Sequence, residues 1–343
     1  MTTSPFQQSF LKDTLDLAVP VEPKSLELAN GTTLKVLQRG VVECLPANFC
    51  LKTGKHIIVS SGIHGDETAP LELIDKIVDD IASGFQNIEE RTLFIIAHPE
   101  ATALHQRFVD ENLNRLFDTK AHLANTETQI ADNLKAVVTD FYQDTPKENR
   151  WHLDLHCAIR LSKHYSFAVS PKTRHPVRSK ALFEFIELCH VEAVLLSNAP
   201  SSTFSWFSAE HFAAQAMTIE LGQVAPIGEN QLDKLAAFDM TLRDLIARIE
   251  PEHHPRRVVH YRVSRTIVRM QEDFDFMFGD DVENFTEFKH GEVFGHDGEK
   301  PLMAKNEGEA VVFPNRNVAI GQRAALMVCA VRTRYDADQL IYD

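Results

Sequence analysis

From about residue 55 to about residue 250, short apolar runs alternate with longer amphipathic stretches, and this alternation most narrows what the chain can fold into. The runs are HIIVSS (56 to 61), TLFIIAH (92 to 98), WHLDLH (151 to 156), YSFAVS (165 to 170), EAVLLS (192 to 197) and AMTIEL (216 to 221). Each is strand-sized and rich in the β-branched and aromatic residues that suit a pleated surface. Between them, 70 to 83, 126 to 142, 179 to 190 and 230 to 249 repeat Leu, Ile, Val and Phe at the helical period. A parallel strand pair needs a long crossover, which a helix supplies, so the pattern predicts an α/β fold with a mainly parallel or mixed sheet flanked by helices.

The polar segment PEHHPRR (251 to 257), with two prolines, closes the last helical pattern. Beyond it VVHYRVSRTIVRM (258 to 270) alternates with period two, and FTEF, GEAVVF and RAALMVCAVR follow between Gly, Asp and Asn punctuation. The expected organisation is an α/β domain over 1–254, which carries the chemistry, and a smaller β-rich C-terminal domain over 255–343. Upstream, SLELANGTTLKVLQRG holds the turn signal Asn30-Gly31 and predicts an antiparallel hairpin on the edge of the main sheet.

Composition removes several function classes. With 49 acidic and 35 basic side chains the net charge is −14, and no Lys/Arg-rich run offsets it. Neither nucleic acid nor an anionic membrane is therefore an expected partner. No stretch approaches the roughly 18 consecutive apolar residues of a membrane span, and MTTSPFQQSFLKDT has no signal-peptide character. The five scattered cysteines, an odd number with no C-x-x-C spacing, suit a reducing, cytoplasmic setting, although Cys44 and Cys50 are close enough in sequence to bridge a loop. A homo-oligomer is left open.

The residues with chemistry gather at predicted strand ends. Directly after HIIVSS comes GIHGDETAP, with His64 and Glu67 in H-x-x-E spacing. Such a pair can place an imidazole nitrogen and a carboxylate oxygen on one ion if a third ligand arrives from elsewhere. His156 ends WHLDLH, and in an open α/β sheet reacting groups collect outside the carboxyl ends of strands. A His2Glu set leaves one position open for water, the catalytic form of zinc coordination. Each feature also fits a plainer reading, a loop histidine, a helix-start glutamate or a satisfied strand-end histidine. Their joint placement favours one Zn2+ per chain. Glu220, ending AMTIEL before Gly222, could take a proton from water and pass it to a departing amine. After TLFIIAH, the stretch HQRFVDENLNRLF (105 to 117) holds Arg107, Asn114 and Arg115 without a balancing acidic face. Guanidinium groups capture carboxylates and stabilise oxyanions, and an anionic substrate needs such local positive potential in so acidic a chain.

Taken together, GIHGDETAP, NLNR (112 to 115), DLHCAIR (154 to 160) and TIELGQ resemble the succinylglutamate desuccinylase and aspartoacylase family, relatives of zinc carboxypeptidases. DLHCAIR and the overall length are closer to the desuccinylase branch. The resemblance implies zinc held by His64, Glu67 and His156, with Glu220 as general base and then acid. It implies that Arg107 polarises the scissile carbonyl, and that Asn114 and Arg115 hold the α-carboxylate of a small anionic acylamino acid. The implied reaction is hydrolysis of N-succinyl-L-glutamate to succinate and L-glutamate, in arginine degradation by the succinyltransferase route. The alternatives are an aspartoacylase-like hydrolase of another N-acyl amino acid and a non-catalytic zinc-binding regulatory protein. For the succinyl carboxylate, Arg160 and Lys163 are candidates on position and charge. Aspartoacylases also use a loop arginine and a C-terminal tyrosine, yet SSTFSWF (201 to 207) has no arginine and VVFPNRNVAIGQ (311 to 322) has no tyrosine.

Three further features are set aside. Cys157 adjoins His156, but neighbouring side chains on a strand point to opposite faces. EDFDFMFGDD (272 to 281) lacks calcium-loop spacing. His253 and His254 are expected to be exposed in the linker.

Overall fold

The computed structural model describes residues 4–342. The chain begins with helix α1 (Phe10–Leu15) and an antiparallel meander of β1 (Lys24–Glu27), β2 (Thr33–Gln38) and β3 (Val41–Leu45). The expected hairpin is β1–β2, at the sheet edge. Its turn forms because the Asn30 carboxamide accepts the Thr32 amide at 3.0 Å while Gly31 takes φ 82°, a left-handed value that suits glycine.

The alternating region follows as β4 (His56–Ser61), α2 (Ala69–Ser83), β5 (Arg91–Ile96), α3 (Pro99–Ala103), α4 (Thr126–Tyr142), β6 (Arg150–Ala158), β7 (Ser166–Ser170), α5 (Lys180–Leu188), β8 (Ala193–Leu196), α6 (Phe204–Phe212), β9 (Gln215–Gln223) and α7 (Ala236–Ala247). The C-terminal part is β10 (Val259–Val268), β11 (Phe274–Phe276), β12 (Thr286–Phe288), β13 (Val293–Asp297), β14 (Lys300–Met303), β15 (Glu309–Val312), β16 (Arg323–Ala330), β17 (Thr333–Asp336) and β18 (Gln339–Tyr342). Among the described residues, no helix is long and apolar enough to cross a membrane. All five cysteines are free, so Cys44 and Cys50 do not bridge.

Thirteen strands make one mixed sheet in the order β1-β2-β3-β5-β4-β6-β9-β7-β8-β10-β16-β15-β12. Its centre is parallel: β4 pairs with β5 and β6, and β6 with β9. Four consecutive strands therefore end on one edge. Period-two alternation sorts their side chains between two cores. Ile57, Val59, Leu153 and Leu155 pack with α2, α5 and α7 residues such as Ile74, Ile186 and Leu242, while Ile58, Leu93 and Ile95 join Leu134 and Val138 of α4 and Phe204 of α6.

Helix α2 shows why these segments take their form. Pro70 lies in its first turn, and Gly84 closes it in the left-handed conformation at φ 82°. Leu71, Ile74, Ile77, Val78 and Ile81 recur at helical spacing and are fully buried. Each such burial contributes about 1.5–3 kcal/mol by area removed from water. A charge at Ile77 would be buried without a partner and would break the packing of α2 on the sheet.

The sheet does not stop at the linker. β10 pairs in parallel with β8, then continues antiparallel into β16, β15 and β12. Ala158, Phe167 and Leu195 share a core with Tyr261, Val263, Phe285 and Val312 of the C-terminal β domain. The β17–β18 hairpin folds back: the Lys180 amide donates to the Asp338 carbonyl and the Leu340 amide to the Arg178 carbonyl, both at 2.8 Å.

The sheet is mixed, as expected, and three local readings, the start of the last helix, the SSTFSWF segment and His253, differ. Strand β7 runs antiparallel to β9, because the connection 159–165 is too short for a parallel crossover. The last long helix begins at Ala236 rather than 230, after a 3-10 turn over Leu232–Leu235. Helix α6 forms where SSTFSWF reads as a loop, with the Thr203 side chain accepting the Trp206 amide as N-cap. His253 is half-buried, its Nε2 lying 3.0 Å from Thr241 Oγ1 and 2.9 Å from the Leu188 carbonyl. The acidic run is engaged by Arg316, whose guanidinium meets both Asp275 and Asp280.

Candidate functional site

The four parallel strand ends deliver the candidate residues to one place. The turn after β4 carries His64 and Glu67, β6 carries His156, β9 carries Glu220, and the stretch after β5 and α3 carries Arg107. His156 and Glu220 are direct partners in the parallel β6–β9 register, so their side chains rise from the same face. The turn after β4 is tight against α3. A Cβ added at Gly65 would collide with the Ala101–Thr102 backbone, so only glycine lets His64 come this close.

His64 Nδ1 lies 2.8 Å from Glu67 Oε1, and His156 Nδ1 lies 2.8 Å from Glu67 Oε2. The other ring nitrogen of each histidine is engaged behind the site. His64 Nε2 is 3.0 Å from Asn112 Oδ1, an oxygen that also accepts the Asn114 amide. His156 Nε2 is 3.2 Å from Asp154 Oδ2. Both outer partners are acceptors, so each Nε2 carries a hydrogen, and each Nδ1 faces Glu67 either as a second donor of an imidazolium or, once a cation sits between them, as a lone pair. Acceptors that converge this way need a proton or a cation between them.

The electrostatics agree. Burial pulls the His156 pKa down, but the carboxylates of Asp154 and Glu67 outweigh it and hold it well above the usual imidazole value. Burial raises Glu67, yet the two histidines keep it well below the ordinary carboxylate range. Asp154, Glu67 and Glu220 are all buried around one point, with Arg107 as their guanidinium counter-charge. One ligand atom each from His64, Glu67 and His156 lies within 4.8 Å of the others. A nitrogen–nitrogen–oxygen set with outer hydrogen bonds fixing the tautomers fits a zinc ion.

Glu220 stands apart from that set. Its Oε2 is buried with no hydrogen-bond partner. Burial, reinforced by the charge of Glu67, raises its pKa from 4.5 to about 7, where a carboxylate can both accept and return a proton. Gly222, two residues on, takes φ 78° and leaves room for the Tyr165 ring.

Arg107 Nη1 donates to Glu67 Oε1 at 2.7 Å. Asn114 is buried and its Oδ1 accepts the Phe204 amide at 3.0 Å, leaving Nδ2 as its donor group. Arg115 donates to the Asn114 carbonyl at 2.8 Å, and desolvation of its guanidinium, then the charges of Arg323 and Arg107, push its pKa down to about 10. It stays a cation at neutral pH. Arg160 and Lys163 lie at the junction with the C-terminal β domain. Arg160 Nη2 is 3.8 Å from Asp280, its Nη1 is buried without a partner, and the Lys163 amide donates to the Asn284 carbonyl. Among the described residues, no hydrogen bond or ion pair joins either one to His64, Glu67, His156, Glu220 or Arg107.

Sequence reasoning passed over four neighbours. Asp154 is two positions before His156 and so shares its strand face, a signal present in DLH. Asn112 opens the same NLNR run as Asn114. Ser60 fixes Asp154 from behind, its Oγ donating to Asp154 Oδ1 at 2.6 Å and meeting His152 Nε2 at 2.8 Å. Arg323, from the start of β16, comes near Arg115 only through the folded sheet and left no local trace.

The Succinylglutamate desuccinylase/Aspartoacylase catalytic domain matches residues 53–246, and the AstE/AspA barrel-sandwich hybrid domain matches residues 256–331. The chain belongs to the succinylglutamate desuccinylase/aspartoacylase family. Within the family it is 66% identical to succinylglutamate desuccinylase of Vibrio cholerae over 100% of both chains. The crystal structure of that enzyme from Vibrio parahaemolyticus superposes with a TM-score of 0.97 at 66% identity, covering 99% of this chain and 100% of the other. A more distant family member, from Chromobacterium violaceum, gives 0.82 at 30% identity, covering 94% and 98%.

Proposed function

We propose that this chain is a zinc-dependent amide hydrolase that cleaves N-succinyl-L-glutamate into succinate and L-glutamate. The observation that carries the reading is the convergence of His64, Glu67 and His156 beside the unpartnered carboxylate of Glu220. The substrate is taken from the relatives, which bear the name succinylglutamate desuccinylase across their full length. The reaction would close arginine degradation by the succinyltransferase route. The five free cysteines suit a cytoplasmic setting. The same reading divides the chain into a catalytic unit over 1–254 and a β unit over 255–343, and the matched ranges fall on either side of that boundary.

His64, Glu67 and His156 would hold the metal. Zinc bound there supplies Lewis-acid polarisation and activation of water. Glu220 accepts the proton of the attacking water and later delivers it to the departing amine nitrogen. Arg107 faces the carbonyl oxygen and meets the negative charge that grows there. Asn114 Nδ2 and the Arg115 guanidinium hold the α-carboxylate, a planar anion that suits a two-pronged donor. Arg160 and Lys163 remain the candidates for the succinyl carboxylate, joined by Arg323, whose charge reaches Arg115.

The deciding experiment measures zinc content together with glutamate release from N-succinylglutamate. One equivalent of zinc is expected, with release that stops on chelation and returns when zinc is restored. Equal or faster hydrolysis of N-acetylaspartate would move the assignment to another N-acyl amino acid. Zinc and substrate binding without any hydrolysis would leave a zinc-binding regulatory protein. A second expectation concerns the ligand tautomer. Asn112→Leu removes the acceptor behind His64 and should weaken zinc affinity about 10- to 100-fold, read by competition with a coloured chelator. Unchanged affinity would mean that the Asn112 contact does not set the ring.

A further inference from the structure

Arg107 lies on a stretch, 104–112, that belongs to no helix or strand. A guanidinium that must meet a developing charge needs its backbone held to a fraction of an ångström. Upstream, the Arg107 carbonyl accepts the Gly65 amide from the metal-site turn at 3.3 Å. Downstream, the amides of Val109 and Asp110 both donate to Glu127 Oε1, at 2.7 and 3.0 Å.

Glu127 is fully buried in the first turn of α4. The same Oε1 also receives His98 Nε2 at 3.0 Å. His98 Nδ1 accepts the Ala101 amide at 3.3 Å, so Nε2 carries the hydrogen and donates. One carboxylate oxygen thus gathers donors from the start of α3 and from the loop, while Oε2 is buried with no partner. Starting α4 does not require this residue, because Asn125 and Thr128 already form a complete capping box. A buried carboxylate with an idle oxygen is a poor choice for stability alone. Two of its bonds hold the loop that presents Arg107, and the third ties that loop to His98 at the start of α3.

We propose that Glu127 is a positioning residue for catalysis, which by clamping the Val109 and Asp110 amides against His98 fixes the Arg107 guanidinium at the scissile carbonyl. The proposal rests on the assignment of Arg107 to that carbonyl. Two consequences separate it from a merely structural role. Loss of the clamp acts on kcat rather than KM, and it acts only through Arg107.

The test is a double-mutant cycle on folded protein with matched zinc content. Glu127→Ala is expected to lower kcat about 10- to 100-fold with KM within threefold. Glu127→Gln keeps an acceptor oxygen at the same reach and should recover most of that loss. In an Arg107→Ala background, Glu127→Ala should cost less than a further threefold. Amide exchange at Val109 and Asp110 should speed up in Glu127→Ala, a readout independent of turnover. Wild-type kcat in Glu127→Ala, full additivity with Arg107→Ala, or unchanged exchange at both amides would each overturn the proposal. Should Glu127→Ala not fold, Glu127→Asp retracts the acceptor by one methylene; a tenfold loss of kcat supports the clamp and wild-type kcat overturns it. If Arg107→Ala alone keeps wild-type kcat, it is the assignment of Arg107 that fails, and with it the basis of the proposal.

Discussion

Glu220→Gln is expected to lower kcat by about 10² to 10⁴ while leaving one zinc bound per chain. Glutamine matches glutamate in size, and Glu220 is not among the three converging donors, so the metal set stays whole. What disappears is the proton acceptor. The pH profile adds a second check. Glu220 must be ionised to act as a base, so kcat/KM should fall as pH drops through its pKa. Burial, then the Glu67 charge, puts that pKa at about 7 in the metal-free protein. A cation on Glu67 cancels part of the repulsion and moves the limb to lower pH. In the metal-free protein the sign for stability is the opposite. A carboxylate raised from 4.5 to about 7 favours the folded state fully below its unfolded value, and that contribution is lost as pH rises through 7. Glu220→Gln should remove both dependences. A variant that still turned over at near wild-type rate, with its acid limb intact, would take Glu220 out of the reaction.

Arg107→Ala should cost about 10² to 10³ in kcat, the usual effect of removing one oxyanion donor. The loss should fall on kcat more than on KM, because the carbonyl oxygen gains its charge only on the way to the tetrahedral state. Arg107 also donates to Glu67, so zinc content has to be measured beside the rate. A variant with normal zinc and normal kcat but a raised KM would place Arg107 with Arg115 among the groups that hold carboxylate.

Much of this site was legible before folding, and the reason is local. His64 and Glu67 lie on one turn, His156 and Glu220 end apolar runs, and parallel strands bring their ends to one edge. What escaped depends on distance along the chain or on weak local signals. Helix α6 is short, and Phe and Trp after a Ser/Thr run read as readily as a loop. The reversal of β7 was written in the brevity of 159–165, but strand direction leaves no mark in hydrophobic pattern. Arg323 reaches Arg115 across a sheet that joins distant segments, and no spacing rule finds such a neighbour. Glu127 looked like an ordinary acidic residue at a helix start, where the macrodipole favours one. Only its burial and its loop partners distinguish it.

The pairing of β8 with β10, and the core shared by Phe167, Leu195, Tyr261 and Phe285, join the α/β part and the β part through one sheet and one core. An enzyme that closes on its substrate can let recognition ride on movement and admit acyl groups of several lengths. Here β6, β9 and β16 belong to one continuous sheet, so the strands that carry His156, Glu220 and Arg323 take their spacing when the chain folds. Spacing fixed in that way needs no fresh ordering of these strands at each turnover.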